Sequence, residues 1–136
     1  METTDYCSYE LSKVLKACGF DEPCRCCYVV DKDTESNIKF AEYTSRNRWN
    51  SVGVGGSKYP YKHISAPTLW HAQKWLREKH HISVRVSYIS YHKVWFADWL
   101  NLDSEEFDDT DTTFDSYEEA LVDGIAAALE LIKKGE

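Results

Sequence analysis

Residues 65–90, SAPTLWHAQKWLREKHHISVRVSYIS, change from a helical period to a strand period within a few positions, and nothing else in the chain restricts its fold as much. Leu69, Ala72 and Leu76 fall on one stripe of a 3.6-residue repeat, with Gln73 and His80 beside it. Pro67 is tolerated in a first helical turn, and Ser65 or Thr68 can cap it. Ile82, Val84, Val86 and Tyr88 then alternate with Ser83, Arg85 and Ser87, the period of a half-buried strand. A helix that feeds so directly into a strand predicts a sheet with helices packed on it.

Similar signals flank this stretch. Leu11, Val14, Leu15 and Cys18 mark a helix over 8–18, closed by Gly19 as a left-handed residue with Phe20 behind it. Residues 24–30 and 37–43 read as a hairpin around the polar turn 31–36. Val94, Phe96 and Leu100 on one side, with Trp95, Ala97 and Trp99 on the other, predict a central strand or one covered on both faces. Ser116 and Glu119 form a capping box, followed by Tyr117, Leu121, Gly124, Ile125, Ala128 and Ile132 on one helical face.

The expected order is therefore α-β-β-α-β-β-α. It predicts a single α+β domain over 1–136: a two-layer sandwich with a mostly antiparallel four-stranded sheet and three helices. Arg85, Trp95 and Trp99 are expected on its open face. Residues 44–64, with Gly53, Gly55, Gly56 and Pro60, read as a flexible Gly-rich loop, and 101–115, with seven acids, as a solvated connector.

The aromatic content of 14%, with five Trp and nine Tyr, excludes an intrinsically disordered chain. No apolar run approaches the roughly 18 residues of a membrane span, and METTDYCSYE lacks a secretory signal's basic start and apolar core. Cys7, Cys18, Cys24, Cys26 and Cys27 are an odd set with two adjacent members, a poor disulfide framework. Free thiols and a cytoplasmic location are expected, with no membrane partner. The net charge of −7 divides unevenly: residues 1–97 carry +4 and residues 98–136 carry −11. Residues 44–93 alone carry +8 and all five His.

No catalytic residues, metal ligands or cofactor motif can be assigned. Cys24-Arg25-Cys26-Cys27 contains a C-x-x-C, yet no second ligand pair has zinc spacing and no βαβ context suits a redox pair. Gly53-Val54-Gly55-Gly56 lacks the GK[ST] ending of a phosphate loop. His80, His81 and Asp98 could be drawn as the acid and base of a hydrolase, but no nucleophile turn accompanies them. The acidic run lacks a calcium loop's Gly and terminal Glu.

The stretches ELSKVLKACGFDEPC, SAPTLWHAQKWLREKHHISV and DSYEEALVDGIAAALELI resemble a group of small proteins of bacteroidete genomes and their phages, which has no activity to transfer. The likeness rests on residues such as Ala66, Pro67, Thr68, Ala72, Gln73, Lys74, Trp75 and Leu76, and then Tyr117, Glu118, Glu119 and Ala120. It implies a phage or mobile-element context.

The remaining candidates are aromatic and basic. Arg46, Arg48, Trp49, Lys58, Tyr59 and Tyr61, with Trp70, Lys74 and Trp75 around the central helix, suit interface anchors of a non-enzymatic module that binds another protein or itself. The same set interleaves cations with stacking rings, the chemistry of single-stranded nucleic-acid binding. Against that alternative stands the acidic balance of the whole chain.

Overall fold

In the computed structural model the described residues are 5–31, 34–42 and 61–135. They form three helices and two three-stranded antiparallel sheets, an α+β architecture. The chain divides into two compact units, Tyr6–Pro67 and Thr68–Glu136 with Met1–Asp5. No helix among the described residues is long and apolar enough to cross a membrane.

In the first unit, α1 spans Tyr9–Ala17, and Ser8 caps it by accepting from the Leu11 amide. Its end is a Schellman motif: Gly19 takes φ +98°, its N–H bonds the Lys16 carbonyl at 3.0 Å, and the Phe20 N–H bonds the Leu15 carbonyl at 2.9 Å. Strands β1 (Cys26–Asp31), β2 (Lys39–Glu42) and β3 (Tyr61–Ser65) pair in the order β2-β1-β3. Tyr28 faces Phe40 on one side and Ile64 on the other. Its ring meets Tyr9 edge-on, and its hydroxyl donates to the Cys7 carbonyl at 2.7 Å, which fixes the helix on that face.

In the second unit, α2 (Leu69–Lys79) starts at Thr68, whose hydroxyl accepts from the His71 amide. It leads through His81, at φ 56°, into β4 (Ile82–Ile89). Strands β5 (Val94–Asn101) and β6 (Phe107–Asp109) complete the order β4-β5-β6, with β5 central. Helix α3 (Tyr117–Lys134) opens on the capping box: Ser116 Oγ accepts from the Glu119 amide at 3.2 Å and donates to the Glu119 carboxylate at 2.9 Å. Gly124 lets α3 approach so closely that an added Cβ would lie 2.6 Å from Val84 and 2.8 Å from Ala97. Val84 and Ala97 thus mark the helix-covered face of this sheet.

Three expectations are corrected. The single four-stranded sheet is replaced by two sheets, because β3 and β6 supply third strands that the sequence pattern hides. β3 lies at the end of the expected loop 44–64, and β6 lies inside the acidic connector. Trp95 and Trp99 are not on the open face: they pair across the strands with Tyr88 and Val84, and the Trp95 ring meets Tyr117 of α3 edge-on at 5.4 Å. Residues on one face of paired antiparallel strands share that face throughout, so the helix side claims both rings.

Candidate functional site

The face of the β4-β5-β6 sheet opposite α2 and α3 carries Ser83, Arg85, Ser87 and Ile89 from β4. From β5 and β6 it takes Val94, Phe96, Asp98, Leu100, Phe107 and Asp109. Its polar centre is the ion pair from Arg85 Nε to Asp98 Oδ1 at 2.8 Å. The pair relieves a strained position, since Asp98 stands directly opposite Asp109 and like charges across a ladder repel.

Local chemistry at the end of β5 builds the rim of this face. Asn101 Oδ1 accepts from the amides of Asp103 and Ser104, and Glu105 takes φ 64°, so the chain reverses tightly into β6. β6 leaves the ladder after Asp109. The Thr110 N–H then bonds the Ala97 carbonyl, and the chain rejoins β5 only where Phe114 bridges Trp95. The residues between, Asp111, Thr112 and Thr113, lie outside the strand pairing. With Ile89, Phe96 and Asp109 they wall an open pocket of about 240 Å³. Phe107, beside Leu100, is 71% exposed. Leaving so much of a Phe ring in water forgoes part of the roughly 1.5–3 kcal/mol that its full burial would contribute.

The part of the rim built by residues 98–115 carries acids and no Lys or Arg. No Lys or Arg lies between Lys93 and Lys133 in the chain. Asp98 is matched by Arg85, whereas Asp109 and Asp111 have no basic partner among the described residues.

No family model matches this chain, and neither the curated proteins nor the solved structures returned a match.

The sequence-derived candidates fall partly outside the described residues and otherwise in both units. Arg46, Arg48, Trp49, Lys58 and Tyr59 lie outside the described residues. Tyr61 sits on β3 opposite Asp31. Trp70, 43% exposed, and the exposed Lys74 share one side of α2, one turn apart. Trp75 is only 5% exposed, and its ring meets His80 edge-on at 4.7 Å, so the stripe that α2 buries is wider than Leu69, Ala72 and Leu76. Phe96, Phe107, Asp109 and Asp111 were missed. A Phe isolated among acids in NLDSEEFDDTDTTFD is the signal that could have found them, because a merely solvated connector has no use for one.

The acid–base trio of the hydrolase alternative does not assemble. His81 Nδ1 meets both carboxylate oxygens of Asp103 at 3.0 Å, while Asp98 is held by Arg85. All five cysteines are free thiols. Burial pushes Cys7, Cys24 and Cys27 up to about 12, the opposite of what a redox or nucleophilic thiol requires. Among the described residues no three His, Cys, Asp or Glu side chains are grouped to hold a metal ion.

A second polar cluster braces the other unit. Glu35, in the β1–β2 turn at φ 52°, accepts from the Tyr9 hydroxyl at 3.1 Å, Lys13 at 3.4 Å and Lys62 at 3.3 Å. The hydrogen bonds from Lys62, Tyr9 and Lys13 hold its carboxyl below the ordinary value of 4.5. Burial, then the Glu35 carboxylate, pushes Tyr9 up to about 12. One carboxylate thereby ties a helix, a turn and a strand together.

Proposed function

We propose that this chain is a non-enzymatic protein-binding module whose working surface is the helix-free face of the β4-β5-β6 sheet. Its partner is a polypeptide that presents a Lys or Arg side chain. The observation that carries this reading is the pocket between Ile89, Phe96, Asp109, Asp111, Thr112 and Thr113, with the exposed Phe107 on the same face. At about 240 Å³ the pocket falls below the roughly 300–1,000 Å³ of small-molecule sites and suits one side chain. An aliphatic stem would lie along Ile89 and the Phe96 ring, and its cationic head would reach the two unmatched carboxylates. An apolar centre with a charged rim is the common anatomy of a non-obligate interface.

A polyanion is disfavoured at this face by the same carboxylates.

The reading is tested by placing a photo-crosslinking phenylalanine analogue at position 107 and, as a control, at the exposed position 130 of α3, in the native host. A discrete crosslinked polypeptide is expected from position 107 alone, lost in the Asp109→Asn, Asp111→Asn double variant. Equal crosslinking from both positions, or a product indifferent to the two substitutions, would overturn it.

A further inference from the structure

β4 is the outer strand of its sheet, and antiparallel pairing decides which of its peptide groups point away. Along such a strand, alternate residues bond one neighbour while those between turn to the other side. On β5, Trp95 exchanges both bonds with Phe114 at 2.8 Å, and the Ala97 carbonyl accepts from Thr110 at 3.1 Å. Both residues thus turn away from β4. Their partners across the ladder, Tyr88 and Val86, must then turn their own N–H and C=O to the outer edge, as must Val84 opposite Trp99.

The edge is closed at one end and open at the other. Gln73 Nε2 of α2 donates to the Val84 carbonyl at 2.8 Å. Among the described residues nothing bonds the outward groups of Val86 and Tyr88. Tyr88 is 47% exposed, and Ser87 between them is exposed as well. Few of the devices that keep an edge unpaired are present at this open end: β4 has no Lys and no Pro, its register with β5 is unbroken, and its one charge, the exposed Arg85, is paired with Asp98 of β5.

We propose that this edge pairs with the same edge of a second copy of the chain, antiparallel about a two-fold axis through Ser87. Val86 of each copy then lies opposite Tyr88 of the other, and the free peptide groups of these two residues bond each other across the axis. The two Ser87 side chains face each other as a non-hydrogen-bonded pair, with Cα atoms about 4.5 Å apart. The neighbouring registers are worse. An axis through Arg85 would oppose two guanidinium groups, and one through Val86 would require the Val84 carbonyl that Gln73 already holds. A second copy suits the edge better than a foreign strand because the edge is self-complementary: the residue on the axis is neutral, and Val meets Tyr on either side of it.

The test is sedimentation of the full chain from micromolar to millimolar concentration. Wild type is expected to pass from the mass of one chain towards that of two. Ser87→Asp and Ser87→Lys each place like charges face to face and should weaken association about fivefold, while an equal mixture of the two variants should associate at least as well as wild type. Val86→Pro removes an outward N–H and no hydrogen bond of the β4–β5 ladder, a position where Pro is tolerated on an edge, and should abolish the dimer with an unchanged far-ultraviolet spectrum. A wild type that stays monomeric throughout would overturn the proposal. So would a dimer indifferent to both Ser87 variants, or one strengthened by Ser87→Asp alone, which would set Asp against the partner's Arg85 in the register through Val86.

Discussion

Substituting Gly124 by Ala tests the close approach of α3 to the β4-β5-β6 sheet. In a helix interior, Ala is worth about 1 kcal/mol over Gly, so propensity alone predicts a more stable protein. The new methyl would stand 2.6 Å from Val84 Cγ1 and 2.8 Å from the Ala97 Cβ. Real Cβ atoms do not come so close. Ala97 is fully buried on the central strand and has no rotamer to yield, while Val84, 3% exposed, is stiff at χ1. Relief therefore requires α3 or the sheet to move. Overpacking of this kind costs about 1–3 kcal/mol, and with two contacts in conflict the upper end applies. The net effect should be a destabilisation of about 2 kcal/mol, which at a urea slope of roughly 2 kcal/mol/M lowers the midpoint by about 1 M. Tryptophan fluorescence is a suitable probe, since four of the five Trp (Trp70, Trp75, Trp95 and Trp99) belong to this unit. Gly135→Ala is the control: its Cβ would find only carbonyl oxygens at 3.4 and 3.7 Å, and its stability should be unchanged or slightly raised. Val84→Ala should cost markedly less in the Gly124→Ala background than alone. A Gly124→Ala protein that unfolds at or above the wild-type midpoint would refute the close approach of α3.

Three other perturbations address the polar groups. Because Glu35 is held below 4.5, the stability it contributes is present above that value and is lost as pH falls through its folded value. The gap in thermal midpoint between wild type and Glu35→Gln should therefore shrink on acidification below 4.5 and stay flat from there to neutrality. Cys7, Cys24 and Cys27, pushed up to about 12, should alkylate with iodoacetamide ever faster up to the highest pH the fold survives; a rate that levels off near pH 8 would contradict their burial. Ser116→Ala removes both arms of the α3 capping box and should cost about 1 kcal/mol in urea unfolding.

Most of the framework was legible in the sequence because it is locally encoded. Gly19 and Phe20 close α1, Thr68 opens α2, and Ser116 with Glu119 opens α3, each through contacts within a turn of chain. β4 and β5 have apolar patterns of their own. β3 and β6 do not. In Tyr61–Ser65 the pattern carries no clean alternation, and the strand exists because β1 offers it an edge. Phe107–Asp109 is three residues, two of them acids and all three exposed. The candidate site was hidden for the same reason. Asp109, Asp111 and Thr113 become neighbours of Ile89 and Phe96 only once β6 has paired, and an acidic run betrays no such pairing.

The two sheets also differ in what must happen before they exist. β4 and β5 are joined by the four residues 90–93, so their ladder can grow outwards from its own turn. β3 can join β1 only after residues 32–60 have been brought round, a closure dearer by about 2 kcal/mol in chain entropy. During refolding, amide protection in a pulse-labelling experiment should therefore appear along β4 and β5 before it appears along β3. For β3, the strand that lacks a pattern of its own is also one whose formation has to wait.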